Sequence, residues 1–231
     1  MRAYGIANDE ERQHFLTCYH ETGHALAAFW RGIPVEEISV VETEDALGCT
    51  TTSNHMEGRF EFFRSEVVQL MAGPVAECFA WDMANGIDTI ARKVFLRLVV
   101  LQHRGQLWFL DEDIDHAIDC WRFANPRKSV RSLFFDLTEI AADCFELLWR
   151  SEYELHDVAD QLFRRASGVI QGNEFKIISK SWQHLNPPEG IWQDYAFDIA
   201  CDFVETGALS SKPLPPRWTK SRTNSKGKSR R

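Results

Sequence analysis

Residues 18–30 read Cys-Tyr-His-Glu-Thr-Gly-His-Ala-Leu-Ala-Ala-Phe-Trp, and this stretch decides the fold. His20 and His24 stand four apart, with Glu21 between them. On a helix, positions i and i+4 share a face about one turn apart, so both imidazoles reach one metal ion. Glu21 then points beside that ion, where a base for an activated water belongs. A solvated helix can carry such a pattern by chance. Here Ala25, Leu26, Ala27, Ala28, Phe29 and Trp30 make the helix apolar on most sides. A buried helix rarely carries two histidines and a glutamate without partners for them. Gly23 adds a further signal, because glycine inside a helix costs up to about 1 kcal/mol relative to alanine. Its presence predicts that another element passes close to that turn, such as a helix bearing a further ligand.

A catalytic zinc takes three protein ligands and keeps one position open for water. His20 and His24 supply two of the three. Zinc lowers the pKa of its water to about 7. Glu21 is expected to take that water's proton during attack on a peptide carbonyl, then pass it to the leaving amine. The expected activity is hydrolysis of an amide bond. The third ligand must come from elsewhere in the chain, and two candidates stand out. Glu77 lies in MAGPVAECFAW, and Asp113 lies in FLDEDIDHAIDCWR. Asp111, Glu112 and Asp115 crowd Asp113, a grouping that also fits an ordinary acidic helix start. Glu77 equally fits an ordinary helix acid, or a carboxylate that orients a ligating histidine from behind. His103 is a weaker third candidate.

Working outward, the first helix is predicted from about Asp9 to Arg31, with Asn8 or Asp9 as its cap and Gly32 and Pro34 as its stop. Val35–Val41 and Leu47–Ser53 read as strands around a turn at residues 44–46, able to pair as a small sheet. The rest reads as helix: Phe60–Asn85, Asp88–His103, Trp108–Phe123, Lys128–Arg150, Glu152–Ser167, Glu174–Trp182 and Ile191–Thr206. Pro74 is expected to kink or split its helix. Ser151 with Glu154 fits a capping box. The fold class is therefore mainly α with a small β-sheet. With 44% hydrophobic residues, a substantial core is within reach.

We expect one domain over residues 1–206 and a basic tail over 207–231. The tail carries Lys212, Arg217, Lys220, Arg222, Lys226, Lys228, Arg230 and Arg231 and no acid, with a composition typical of disorder. The formal net charge is −8, so the body is strongly acidic. That argues against a nucleic-acid-binding domain, although the tail is suited to acidic surfaces. The six cysteines are scattered without a CxxC pair, and no secretory signal is evident. They read as reduced thiols of a cytoplasmic protein. No membrane span is expected, because the best apolar run, Val94–Leu101, is short and broken by Arg97.

Several segments together resemble one family. CYHETGHALAAF is similar to the YHEAGHALVA helix of the FtsH family of zinc metalloproteases. VEEISVVETEDALGCTT resembles that family's strand and its ALGYT element. VVQLMAGPVAECFAW resembles its LLGGRAAEELIFG helix. DEDIDHAID resembles its NDL-x-x-AT segment, whose aspartate falls at Asp113. VADQLFRRASGVIQGNEFKII resembles its last helices, of the LAEALLEKETLDGEEV type. The likeness covers about residues 10–180, in the family's order. It implies zinc held by His20, His24 and Asp113, with Glu21 as catalytic base. It also implies that Val35–Val41, or the strand after Gly48, pairs with an extended substrate through main-chain bonds.

The departures are as informative. The family's membrane anchor and AAA ATPase module have no counterpart in this sequence, and no GxxxxGK[ST] loop occurs in it. A stand-alone, ATP-independent peptidase is expected, acting on peptides and on flexible or unfolded chains; its oligomeric state is left open. Extra sequence around IARKVFLRLVVLQHRGQLWFL is expected to add a helix at the mouth of the site. Pro74 stands where the family has arginine, and residues beyond Trp182 have no counterpart. Two other readings compete: a catalytically silent binding or regulatory module on a peptidase fold, and a repressor-cleaving HExxH peptidase of another family. The ALG and AGPVAE segments favour the FtsH likeness over the latter.

Overall fold

The computed structural model describes residues 6, 8–44, 46–53, 60–82, 87–104, 112–182 and 188–206. The basic tail, Asp111 and the predicted helix start at Trp108 lie outside the described residues, as does the side chain of His103. The chain is mainly α with one small antiparallel sheet. Helix α1 (Asp9–Trp30) opens as its sequence predicts: the Glu11 amide donates to the Asn8 side chain at 2.8 Å, and Asp9, Glu10 and Glu11 occupy the first turn. Strands β1 (Val35–Ser39) and β2 (Cys49–Thr52) pair antiparallel, with Ile38 opposite Thr50 and a register irregularity between Val35 and Glu37. A third strand, β3 (Val169–Gln171), pairs with the other side of β1, placing Ile170 opposite Ile38. The order is β2-β1-β3, so β2 is an edge.

Helix α2 (Phe60–Asp82) lies along α1, and α4 (Glu112–Ala124) packs against α2. The fit between α1 and α2 is tight at Gly23. A Cβ there would come within 2.4 Å of the Ala72 carbonyl oxygen and 2.6 Å of the Ala76 Cβ. The element foreseen beside Gly23 is therefore α2. It brings Glu77, while Asp113 arrives on α4. Helix α5 (Val130–Arg150) runs through the core, with α3 (Ile87–Arg104) and α8 (Gln193–Thr206) against it. Helix α6 (Glu152–Arg164) packs on α1, and α7 (Gly172–Ile178) sits beside β1. The buried apolar residues, from Phe15 to Ala200, form one connected cluster.

Four expectations are corrected. β3 was not foreseen, since three residues are too few to show a strand period. Pro74 does not split α2, which runs continuously across it. A proline removes one ladder bond, and here the flanking turns are pressed into the core at Met71, Ala72, Val75 and Ala76. Ser151 makes no capping-box bond: it is the C-cap of α5, its N–H already committed to that helix's last carbonyls, and α6 starts at the next residue. The inserted segment does form a helix, α3, yet its face of Ile90, Val94, Phe95 and Leu98 belongs to the core. Phe95 packs on Phe145 and Tyr195 instead of covering the site. No helix among the described residues is long and apolar enough to cross a membrane.

Candidate metal centre

His20 and His24 project from one face of α1, their ring centroids 4.7 Å apart. Asp113, in the first turn of α4, meets both. Its Oδ2 lies 2.8 Å from His20 Nε2 and 3.2 Å from His24 Nε2. The three donor atoms sit within 4.8 Å of one another. Each imidazole is fixed from behind. His24 Nδ1 is 2.7 Å from the main-chain carbonyl of Gln69, which has no proton to give, so the nitrogen donates. His20 Nδ1 lies 2.7 Å from Glu77 Oε1. Arg97 Nη1 donates to the other oxygen of Glu77 at 2.7 Å. Both Nδ1 atoms being occupied as donors, both Nε2 atoms face Asp113.

Protonation behaviour agrees with that reading. Burial opposes charge on His20, yet its hydrogen bonds with Asp113 and Glu77 hold the imidazole well above its ordinary pKa. His24 is likewise raised against burial by Asp113. Burial would lift the Asp113 carboxyl, but the two histidines hold it far below the ordinary carboxylate range. Glu77 is lowered against burial by His20 and Arg97. Two imidazole nitrogens and a carboxylate oxygen converging in a partly buried space favour a positive charge between them, a proton or a metal ion.

The donor set suits zinc, which takes neutral imidazoles and carboxylates in sites of three protein ligands. The backbone leaves room for it. At Gly73, a Cβ would come within 2.5 Å of His24 Nε2 and 2.6 Å of His20 Nε2. A side chain at position 73 would intrude on the nitrogens that could hold an ion.

Glu21 is buried on the same helix, 5% exposed. Its Oε2 accepts from the Thr50 hydroxyl at 2.8 Å, and its main-chain carbonyl lies 2.9 Å from the same hydroxyl. The bare Cα of Gly48 faces this carboxylate, since a Cβ there would meet Glu21 Oε1 at 2.8 Å. The end of the loop and the start of β2 therefore form the seat of the proposed base.

The structure thus gathers His20, His24 and Asp113, and places Glu77 behind His20 as an orienting carboxylate instead of a third ligand. Sequence reading missed four contributors: Gln69 through its carbonyl, Gly73, Arg97 and Thr50. Two had a signal. Gly73 sits within a helical run as Gly23 does, and Arg97 is a lone cation in the apolar run VFLRLVV. Thr50 and the Gln69 carbonyl had none. No family model matches the chain.

Proposed function

We propose that this chain is a zinc-dependent, ATP-independent endopeptidase of the FtsH type. The observation that carries the reading is the convergence of His20 Nε2, His24 Nε2 and Asp113 Oδ2 with both Nδ1 atoms already bonded. His20, His24 and Asp113 would hold the zinc. When bound, zinc polarises the scissile carbonyl and makes water acidic enough to attack at neutral pH.

The remaining work falls to the chain's own groups. Glu21 takes the proton of the attacking water and returns it to the leaving amine. Thr50 keeps the Glu21 carboxylate turned toward its place. Glu77, held ionised by Arg97, fixes the His20 ring. The outer edge of β2 starts beside Glu21, and an extended peptide laid along it would be read through main-chain bonds, with wide tolerance of side chains. Without a phosphate-binding loop to power unfolding, the substrates are peptides and flexible or unfolded segments. Six free cysteines suit a reducing, cytoplasmic setting.

The test is Glu21→Gln beside the wild type, with casein as the unstructured substrate and elemental analysis of both proteins. We expect about one zinc per chain in each. Cleavage by the variant should fall about 100- to 10,000-fold. Undiminished cleavage by Glu21→Gln would refute the mechanism. Zinc without turnover in the wild type would point to the silent-module reading. Asp113→Ala should lose the zinc, whereas Glu77→Ala should retain it with weakened affinity.

A further inference from the structure

A second recess lies away from the histidines, where α3, α4, α5 and α8 meet. It is a cavity of about 390 Å³. Its walls are Ile118 of α4 and Leu133, Phe134 and Leu137 of α5, all buried. Val130 and Val204 stand at its exposed margin, 71% and 41% exposed. Chain packing normally fills such a volume, and empty apolar cavities of this kind accept apolar guests.

Among the described residues that line this space, three are polar, and all three favour an anion or an acceptor. Arg122 and Arg131 both border it. Among the described residues, the ion pair of Arg122 is a 3.9 Å contact with Asp119, both largely exposed. Arg131 lies 5.9 Å from the Phe135 ring centroid and makes no ion pair among the described residues. The third group is Gln102, which is 8% exposed. Its side-chain amide meets the Thr138 hydroxyl at 3.2 Å, and its amide nitrogen is buried with no hydrogen-bond partner among the described residues. A buried donor left unpaired is destabilising.

We infer that this cavity binds a single-chain carboxylate amphiphile of the fatty-acid class. The alkyl chain lies among Ile118, Leu133, Phe134 and Leu137. The carboxylate faces Arg122 and Arg131, which suit planar anions and remain charged throughout the physiological range. This site is independent of the peptidase reading, because none of its lining residues contacts the metal centre.

The test is titration of the full-length chain with decanoate below its micelle concentration, followed by calorimetry. We expect one saturable site per chain. Decyltrimethylammonium, with the same chain and the opposite charge, should not displace decanoate. The double variant Arg122→Glu with Arg131→Glu should bind at least about tenfold more weakly. Leu137→Trp fills the cavity and should abolish binding. Because that change enlarges a buried side chain, Val204→Trp at the exposed margin provides the second blocking variant, with circular dichroism as the folding check. Non-saturable uptake, unchanged binding in Val204→Trp, or equal affinity for decyltrimethylammonium would each overturn the inference.

Discussion

At the scale of single residues, the candidate metal centre is a set of three donors whose histidines are fixed from behind by the Glu77 carboxylate and the Gln69 carbonyl. The motif supplied His20, Glu21 and His24 because their spacing is a property of the helix itself. Asp113 and Glu77 were found as acids in suggestive surroundings, but choosing between them required knowing which side of His20 each approaches. Asp113 meets Nε2 and Glu77 meets Nδ1, a distinction set by the packing of α2 and α4 against α1 and absent from any local pattern. Arg97→Met leaves the half-buried Glu77 without this cation. Zinc affinity should then fall about 10- to 100-fold, as when an orienting partner of a ligating histidine is lost. Competition with a chromophoric chelator reads this directly, and unchanged affinity would show that Arg97 merely packs. Thr50 acts on the base, not on the metal. Thr50→Val should lower kcat on casein about tenfold or more with zinc content unchanged, and Thr50→Ser should restore it, because serine keeps the hydroxyl. Equal loss in the serine variant would assign Thr50 a packing role.

At the scale of elements, most of the fold was legible because most of it is helix with clear limits. Asn8 caps α1 as its side chain allows, and the apolar run Val94–Leu101, too short and too broken by Arg97 to span a membrane, became the core face of α3. The misreadings share a cause: each concerned an element whose form is decided by its neighbours. β3 exists because β1 offers it a free edge. Pro74 is tolerated because α2 is held on several sides, chiefly by α1, α4 and α5. Ser151 serves α5 before it can serve α6. The α1–α2 contact gives the sharpest test at this scale. Gly23→Ala gains helix propensity of up to about 1 kcal/mol, but its Cβ would press on the Ala72 carbonyl and the Ala76 methyl, groups of a packed helix that cannot swing aside. Overpacking of this kind destabilises by about 1–3 kcal/mol. The net expectation is a lower urea midpoint together with weaker zinc binding, since α2 also carries Gln69 and Gly73 to the histidines. A more stable variant would mean that the two helices can separate freely.

At the scale of the whole molecule, the candidate site and the core are built from the same helices, so metal binding there would be coupled to stability. The ligands come from α1 and α4 and their orienting groups from α2 and α3, so unfolding scatters all of them. An ion that binds only the folded chain stabilises it, by about 2.7 kcal/mol when present at 100 times its dissociation constant. The cysteines provide internal reporters of that coupling. Cys49 and Cys201 are exposed, while Cys18, Cys78 and Cys144 are buried in α1, α2 and α5. Burial, aided by the charge of Glu21, pushes the Cys18 thiol up to about 12, and burial pushes that of Cys78 up to about 11. Thiolate is the reactive form, so at pH 8 the buried thiols are silent until the chain opens. Brief iodoacetamide pulses in rising urea should therefore label Cys49 and Cys201 throughout, and Cys18, Cys78 and Cys144 together in one later transition. Excess zinc should move that transition to higher urea, chelator should return it, and Asp113→Ala should be insensitive to both. Three buried thiols labelling at separate urea concentrations would mean that residues 1–206 do not unfold as one domain. A single transition that ignores zinc in the wild-type chain would mean that His20, His24 and Asp113 do not hold the ion.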